Sequence, residues 1–98
     1  MIGSRTAITR AEPLRDHWLR LTFADGAVHE VDLGPVLATG GVLSAIRDDR
    51  DVFEAVSVDP ETRTITWPGN IELDPDVLRG DFAPASGKDL PRRVVQAA

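Results

Sequence analysis

The chain has no cysteine, no tyrosine and a single methionine, and its aromatic content is 5%. Without thiols there are no disulfides and no cysteine-ligated zinc. No apolar run approaches the roughly 20 residues of a membrane span. Met1-Ile2-Gly3-Ser4-Arg5 lacks the apolar core of a secretory signal, so the expected location is the cytoplasm. Positive charge is also short. Eleven Lys and Arg face 16 Asp and Glu, a net charge of −5, whereas a duplex-binding module carries a basic face. Nucleic acid is therefore not the expected partner. What remains is 98 residues, 42% hydrophobic and 28% charged, enough for one globular core and not for two.

The charge is uneven. Residues 1–46 are nearly balanced, residues 47–82 hold four Arg against ten acids, and residues 83–98 are mildly basic. An acidic middle suits a basic partner by speeding encounter. The commoner reason for such a stretch is a solvated face that keeps the protein soluble.

Leu19, Leu21 and Phe23 alternate with Trp18, Arg20 and Thr22, which is the period of a half-buried strand. Asp25-Gly26 then signals a hairpin, with Ala27 to Leu33 returning. A loop with Gly26 as its left-handed residue sets Phe23 opposite Ala27, Leu21 opposite His29 and Leu19 opposite Val31. It also pairs Arg20 with Glu30 on the outer face and keeps charge off the core side. A slip of one residue does not. Upstream, Thr6 to Glu12 reads as a first strand ended by Pro13, which completes an antiparallel meander.

Leu33 to Leu37 reads as a helical turn stopped at Gly40-Gly41, with another short turn over Leu43 to Ile46. Asp48 and Asp49 are candidate caps for a helix over Arg50 to Glu54. Ala55 to Asp59 and Arg63 to Trp67 read as a second hairpin around Pro60-Glu61-Thr62. Asp74-Pro75 starts a last helix that stops at Gly80. The expected fold is a small α+β domain over residues 1–82. Pro84, Gly87 and Pro91 break up residues 83–98; Leu90 to Val95 has room for one turn or strand, but the stretch reads as a poorly ordered tail. The expected core is Ile8, Leu19, Leu21, Phe23, Val31, Leu33, Leu37, Phe53, Val56, Val58, Ile65, Trp67, Leu73 and Leu78.

Catalytic material is sparse. None of Ser4, Ser44, Ser57 or Ser86 sits in a nucleophile-elbow pattern. His17 and His29 fall toward opposite ends of the first hairpin and do not form a metal pair. Asp48, Asp49, Asp51 and Glu54 lack calcium-loop spacing. Gly40-Gly41 is not a phosphate loop. No catalytic residue, metal ligand or cofactor is expected. The segment Trp67-Pro68-Gly69-Asn70 is different: a Trp before a turn is either a binding anchor or a lid on a small core.

Several blocks taken together carry a resemblance. They are Phe23-Ala24-Asp25-Gly26, Val31-Asp32-Leu33, Ile46-Arg47-Asp48 with Phe53, Thr66-Trp67-Pro68-Gly69-Asn70, and Leu73-Asp74-Pro75-Asp76-Val77-Leu78. Over residues 1–80 the chain resembles a bacterial family of small proteins, domain-of-unknown-function family 2442. It departs from the usual member in the order Gly69-Asn70 and in carrying Arg79 where an aromatic is common. The resemblance implies an α+β fold and supplies no activity, cofactor or catalytic residue. Some members are encoded beside another small protein in the manner of toxin–antitoxin pairs, which implies a binding module.

The expectation is thus a non-catalytic protein-interaction module, antitoxin-like or regulatory, with a basic partner encoded by a neighbouring gene. Its expected surfaces are Trp67, Pro68, Gly69 and Asn70 and the acids Asp48, Asp49 and Asp51. Unpaired sheet edges leave a homodimer open. The rival expectation is a small-molecule sensor or minor enzyme with a pocket between sheet and helices, marked by a histidine and a carboxylate pointing inward.

Overall fold

A computed structural model describes residues 7–80 and 90–96. The first three strands are β1 (Ile8–Pro13), β2 (Trp18–Phe23) and β3 (Val28–Asp32). Short helices follow: α1 (Gly34–Leu37), a 3-10 turn (Gly41–Leu43), α2 (Ser44–Asp48) and α3 (Arg50–Glu54). Then come β4 (Ser57–Val58), β5 (Ile65–Trp67), β6 (Ile71–Glu72), α4 (Pro75–Arg79) and β7 (Arg92–Gln96). One antiparallel sheet has the order β1-β2-β3-β7 and the other β4-β5-β6, so the α+β class and the N-terminal meander stand.

The β2–β3 hairpin takes the expected register, with Leu19 opposite Val31, Leu21 opposite His29 and Arg20 opposite Glu30. Gly26 adopts φ 91°, a conformation that costs a glycine little. The Gly26 N–H donates to the Phe23 carbonyl at 3.0 Å, and the Phe23 N–H donates to the Ala27 carbonyl at 2.9 Å. The Asp25 carboxylate accepts from the Ala27 N–H at 3.0 Å. Asp-Gly therefore shapes the loop with both its residues.

Two parts of the second hairpin differ from expectation. β4 is shorter than residues 55–59 because α3 holds the start of that stretch. The Ala55 N–H donates to the Asp51 carbonyl at 3.1 Å and the Val56 N–H to the Phe53 carbonyl at 3.3 Å. Beyond β5, the turn at residues 68–70 leads into β6, which pairs Trp67 with Ile71. Gly69 (φ 95°) and Asn70 (φ 61°) supply the left-handed backbone that reverses the chain there.

The tail expectation is corrected at residues 92–96. They form β7, which pairs with β3 through His29–Val94, Glu30–Arg93 and Val31–Arg92. Contacts beyond the ladder help to hold it. Leu90, 3% exposed, belongs to the core. The Arg92 guanidinium donates to the Leu78 carbonyl at 2.8 Å, satisfying a helix C-terminus that has no internal partner. Residues 83–89 and 97–98 of the expected tail, and residues 1–6 and 81–82 of the expected domain, lie outside the described residues.

One hydrophobic cluster lies between the sheets and helices. Of the expected core, Val56, Val58 and Leu73 are only partly buried and pack against it. Ala27, Val36, Ile46 and Leu90 join it beyond expectation.

Candidate functional site

The four-stranded sheet has two unlike faces. Along β2 and β3 the inward residues are buried and the outward ones are half-buried. The outward set is Trp18, Arg20 and Thr22 on β2, and Val28, Glu30 and Asp32 on β3. The register places Arg93 of β7 beside Glu30. On this face Leu14, Arg15, Trp18, Glu30 and Arg93 line a cleft of about 460 Å³.

The cleft is assembled from three parts of the chain. Its floor is sheet. Its rim is the β1–β2 loop, where Asp16 takes φ 55° and the Leu14 N–H donates to the Trp18 carbonyl at 2.8 Å. That loop is fixed from below. The Arg50 guanidinium donates to the carbonyls of Leu14 and Asp16. It also reaches Glu54 at 2.7 Å and stacks 5.0 Å from the Phe53 ring centre. His17 Nε2 donates to the Arg47 carbonyl at 3.0 Å. A loop tied at this many points presents Leu14 and Arg15 in a set position.

Among the residues that line the cleft charge is one-sided; Asp32, opposite Trp18 in the register, accepts from the Gly34 N–H at 2.8 Å. The Glu30 carboxylate accepts two bonds from Arg20, at 3.2 and 2.9 Å. The side chains of Arg15 and Arg93 have no ion-pair or hydrogen-bond partner among the described residues. An indole beside two uncompensated guanidiniums can take an apolar group and an anion together.

The sequence-predicted surfaces fare differently. Trp67 is 2% exposed, and its indole N–H donates to the Phe53 carbonyl at 3.1 Å. The ring ties β5 to α3 inside the core, so Trp67 is a lid and not an exposed anchor. Pro68, Gly69 and Asn70 remain exposed at the turn. Asp48 is held by Arg47 at 2.8 and 3.0 Å, and that guanidinium keeps its carboxyl below the usual carboxylate range. Asp49 caps α3 by accepting from the Asp51 N–H at 3.0 Å. Asp51 lies exposed in the first turn of α3. Most of the charge of this cluster is thus engaged locally.

The histidines do not converge. His17 sits edge-on to Phe53 with ring centres 5.5 Å apart, and His29 edge-on to Phe23 at 5.1 Å. Neither the Trp18 cleft nor a smaller one of about 330 Å³ beside Ile8, Thr9, Val58, Pro60 and Arg63 includes a histidine. No group of three or more His, Asp or Glu able to hold a metal occurs among the described residues. No helix among them is long and apolar enough to cross a membrane.

His29 is 7% exposed and its Nδ1 has no hydrogen-bond partner. Burial pushes its pKa down, the guanidiniums of Arg79 and Arg92 push it further, and Asp25 opposes them. Arg79 donates to both Asp25 oxygens, at 3.2 and 2.9 Å, and lies 4.7 Å above the Phe23 ring. Its hydrogen bond, followed by that from Ala27, lowers the Asp25 pKa to about 2. A flat cation thus lies over the Phe23 ring while its carboxylate partner holds it from the hairpin loop.

Trp18 was legible as an outward residue of β2 but not as part of a site. The available signal was a large aromatic on the polar face of an alternating strand. Its neighbours come from a loop and from a distant strand, which alternation does not reveal.

In comparisons with known proteins, residues 8–83 match the family model described as "Protein of unknown function (DUF2442)", which is over three quarters of the chain. No curated protein and no solved structure matches the chain.

Proposed function

The chain belongs to the DUF2442 family, which brings no activity with it, and we propose that it is a non-catalytic binding module that recognises another protein through the Trp18 cleft. The observation that carries this reading is a partly exposed indole in a concave, positively charged setting on the outer face of the four-stranded sheet. Interface hot spots are enriched in Trp and Arg, and a sheet presents them at little ordering cost. An antitoxin-like or regulatory role in the cytoplasm is the form this reading takes, and a small protein encoded next to this one is the first partner to test.

The test is binding of that partner, measured by calorimetry, to the wild type and to Trp18→Ala. The reading expects at least a tenfold loss of affinity with the melting temperature little changed. Undiminished binding by Trp18→Ala refutes it. A second reading has one observation in its favour: about 460 Å³ lies within the range of small-molecule sites. A melting-temperature rise with a metabolite, abolished by Trp18→Ala, would select that reading instead.

A further inference from the structure

Resting on the reading of the cleft as a protein-recognition site, we infer that its ligand is an acidic peptide segment that lays an apolar side chain against Trp18 between Arg15 and Arg93.

The argument is charge complementarity. The chain as a whole carries −5, yet this cleft does not share that sign. Its one carboxylate, Glu30, is already bonded twice by Arg20. Arg15 and Arg93 find no ion-pair partner among the described residues. They come from different elements, the β1–β2 loop and β7, and both line the same cleft as the indole. Guanidiniums recognise carboxylates by planar, paired hydrogen bonds. Leu14 and the Trp18 ring supply apolar wall for the residue between the acids. A basic segment would meet two like charges here. A nucleic acid strand would stack on the indole, but two cations on a net-negative protein give little hold on a polyphosphate.

The probe is an acetylated pentapeptide of four glutamates around a central leucine, with a lysine-for-glutamate counterpart and an octathymidylate as comparisons. The readout is the pair of indole N–H signals in a nitrogen–proton correlation spectrum of the full chain. Trp18 and Trp67 give separate signals, and buried Trp67 serves as the internal control. The glutamate peptide is expected to shift the Trp18 signal and not that of Trp67. Arg15→Gln and Arg93→Gln are each expected to weaken it about fivefold, the worth of one charge pair near 4 Å in water, and added salt is expected to weaken it further.

Both variants change side chains with no described partner, so their melting temperatures should match the wild type and keep the comparison clean. No Trp18 shift, an equal shift with the lysine peptide, or tighter binding of octathymidylate overturns the inference. The two readings fail separately. If partner binding needs Trp18 but is indifferent to Arg15→Gln and Arg93→Gln, the module stands and the acidic ligand falls.

Discussion

Replacing Trp67 by Phe tests whether that ring belongs to the core. The indole N–H donates to the Phe53 carbonyl at 3.1 Å. The same carbonyl keeps the Val56 N–H at 3.3 Å, so the substitution does not orphan it. The loss is then the ordinary net value of a hydrogen bond, about 1 kcal/mol. Phe is roughly 40 Å³ smaller than Trp, and an unrelaxed void costs about 24 cal/mol per Å³, adding about 1 kcal/mol. Lost transfer of the missing ring atoms adds about 1 kcal/mol more. The expected total is about 3 kcal/mol, a large part of the stability of a domain this size. At about 4–8 °C per kcal/mol, the melting temperature should fall by roughly 10–25 °C. Urea unfolding followed by far-ultraviolet circular dichroism measures the free energy directly. Trp18→Phe is the matched control: the same chemistry on the outer face should cost under about 1 kcal/mol. If Trp67→Phe melts within about 3 °C of the wild type, or if both variants lose equally, the assignment of Trp67 to the core and Trp18 to the outer face is wrong.

Ending the chain after residue 89 removes Leu90 from the core and β7 from β3. Since losing one buried leucine side chain alone costs about 2–5 kcal/mol, the shortened protein should lose at least about 2 kcal/mol in the urea titration, and wild-type stability would contradict the role given to β7. Asp49→Ala should lower stability by about 1 kcal/mol through loss of the α3 cap, with Asp49→Asn retaining most of it in the same urea titration. Acid should destabilise the fold in two stages. His29 has a folded pKa below its ordinary 6.5, so the unfolded chain binds more protons and stability falls as pH drops through and below about 6.5. One proton gives a slope of at most about 1.4 kcal/mol per pH unit, which His29→Gln should flatten. Asp25, lowered from 3.8 to about 2, acts in the same direction in a separate window, between those two values. A urea midpoint that rises between pH 7 and pH 5 would reverse the assigned sign for His29.

Legibility in the sequence followed the range of the interaction. The β2–β3 register was readable because Asp25-Gly26 is a local signal and because Arg20 and Glu30 select one alignment. The α3 cap at Asp49 and the stop at Gly80 were readable for the same reason. β6 was not, since two residues, Ile71 and Glu72, show no period. β7 was not, because Pro91 precedes it and its partner β3 is far away in the chain. The aspartates at 48, 49 and 51 looked like a surface in the sequence, whereas the fold gives two of them local partners. The cleft depends on the same distant pairing: without β7 in place, Arg93 is only a residue in a proline-broken stretch.

That dependence has a thermodynamic side. Releasing the closing strand opens the sheet at one edge while the local β2–β3 hairpin keeps its own turn, so opening here is a step short of global unfolding. Each such excursion withdraws one guanidinium from beside the indole. Any occupant held by that guanidinium therefore latches the strand shut, and amide hydrogens along β3 and β7 should exchange more slowly once the cleft is filled.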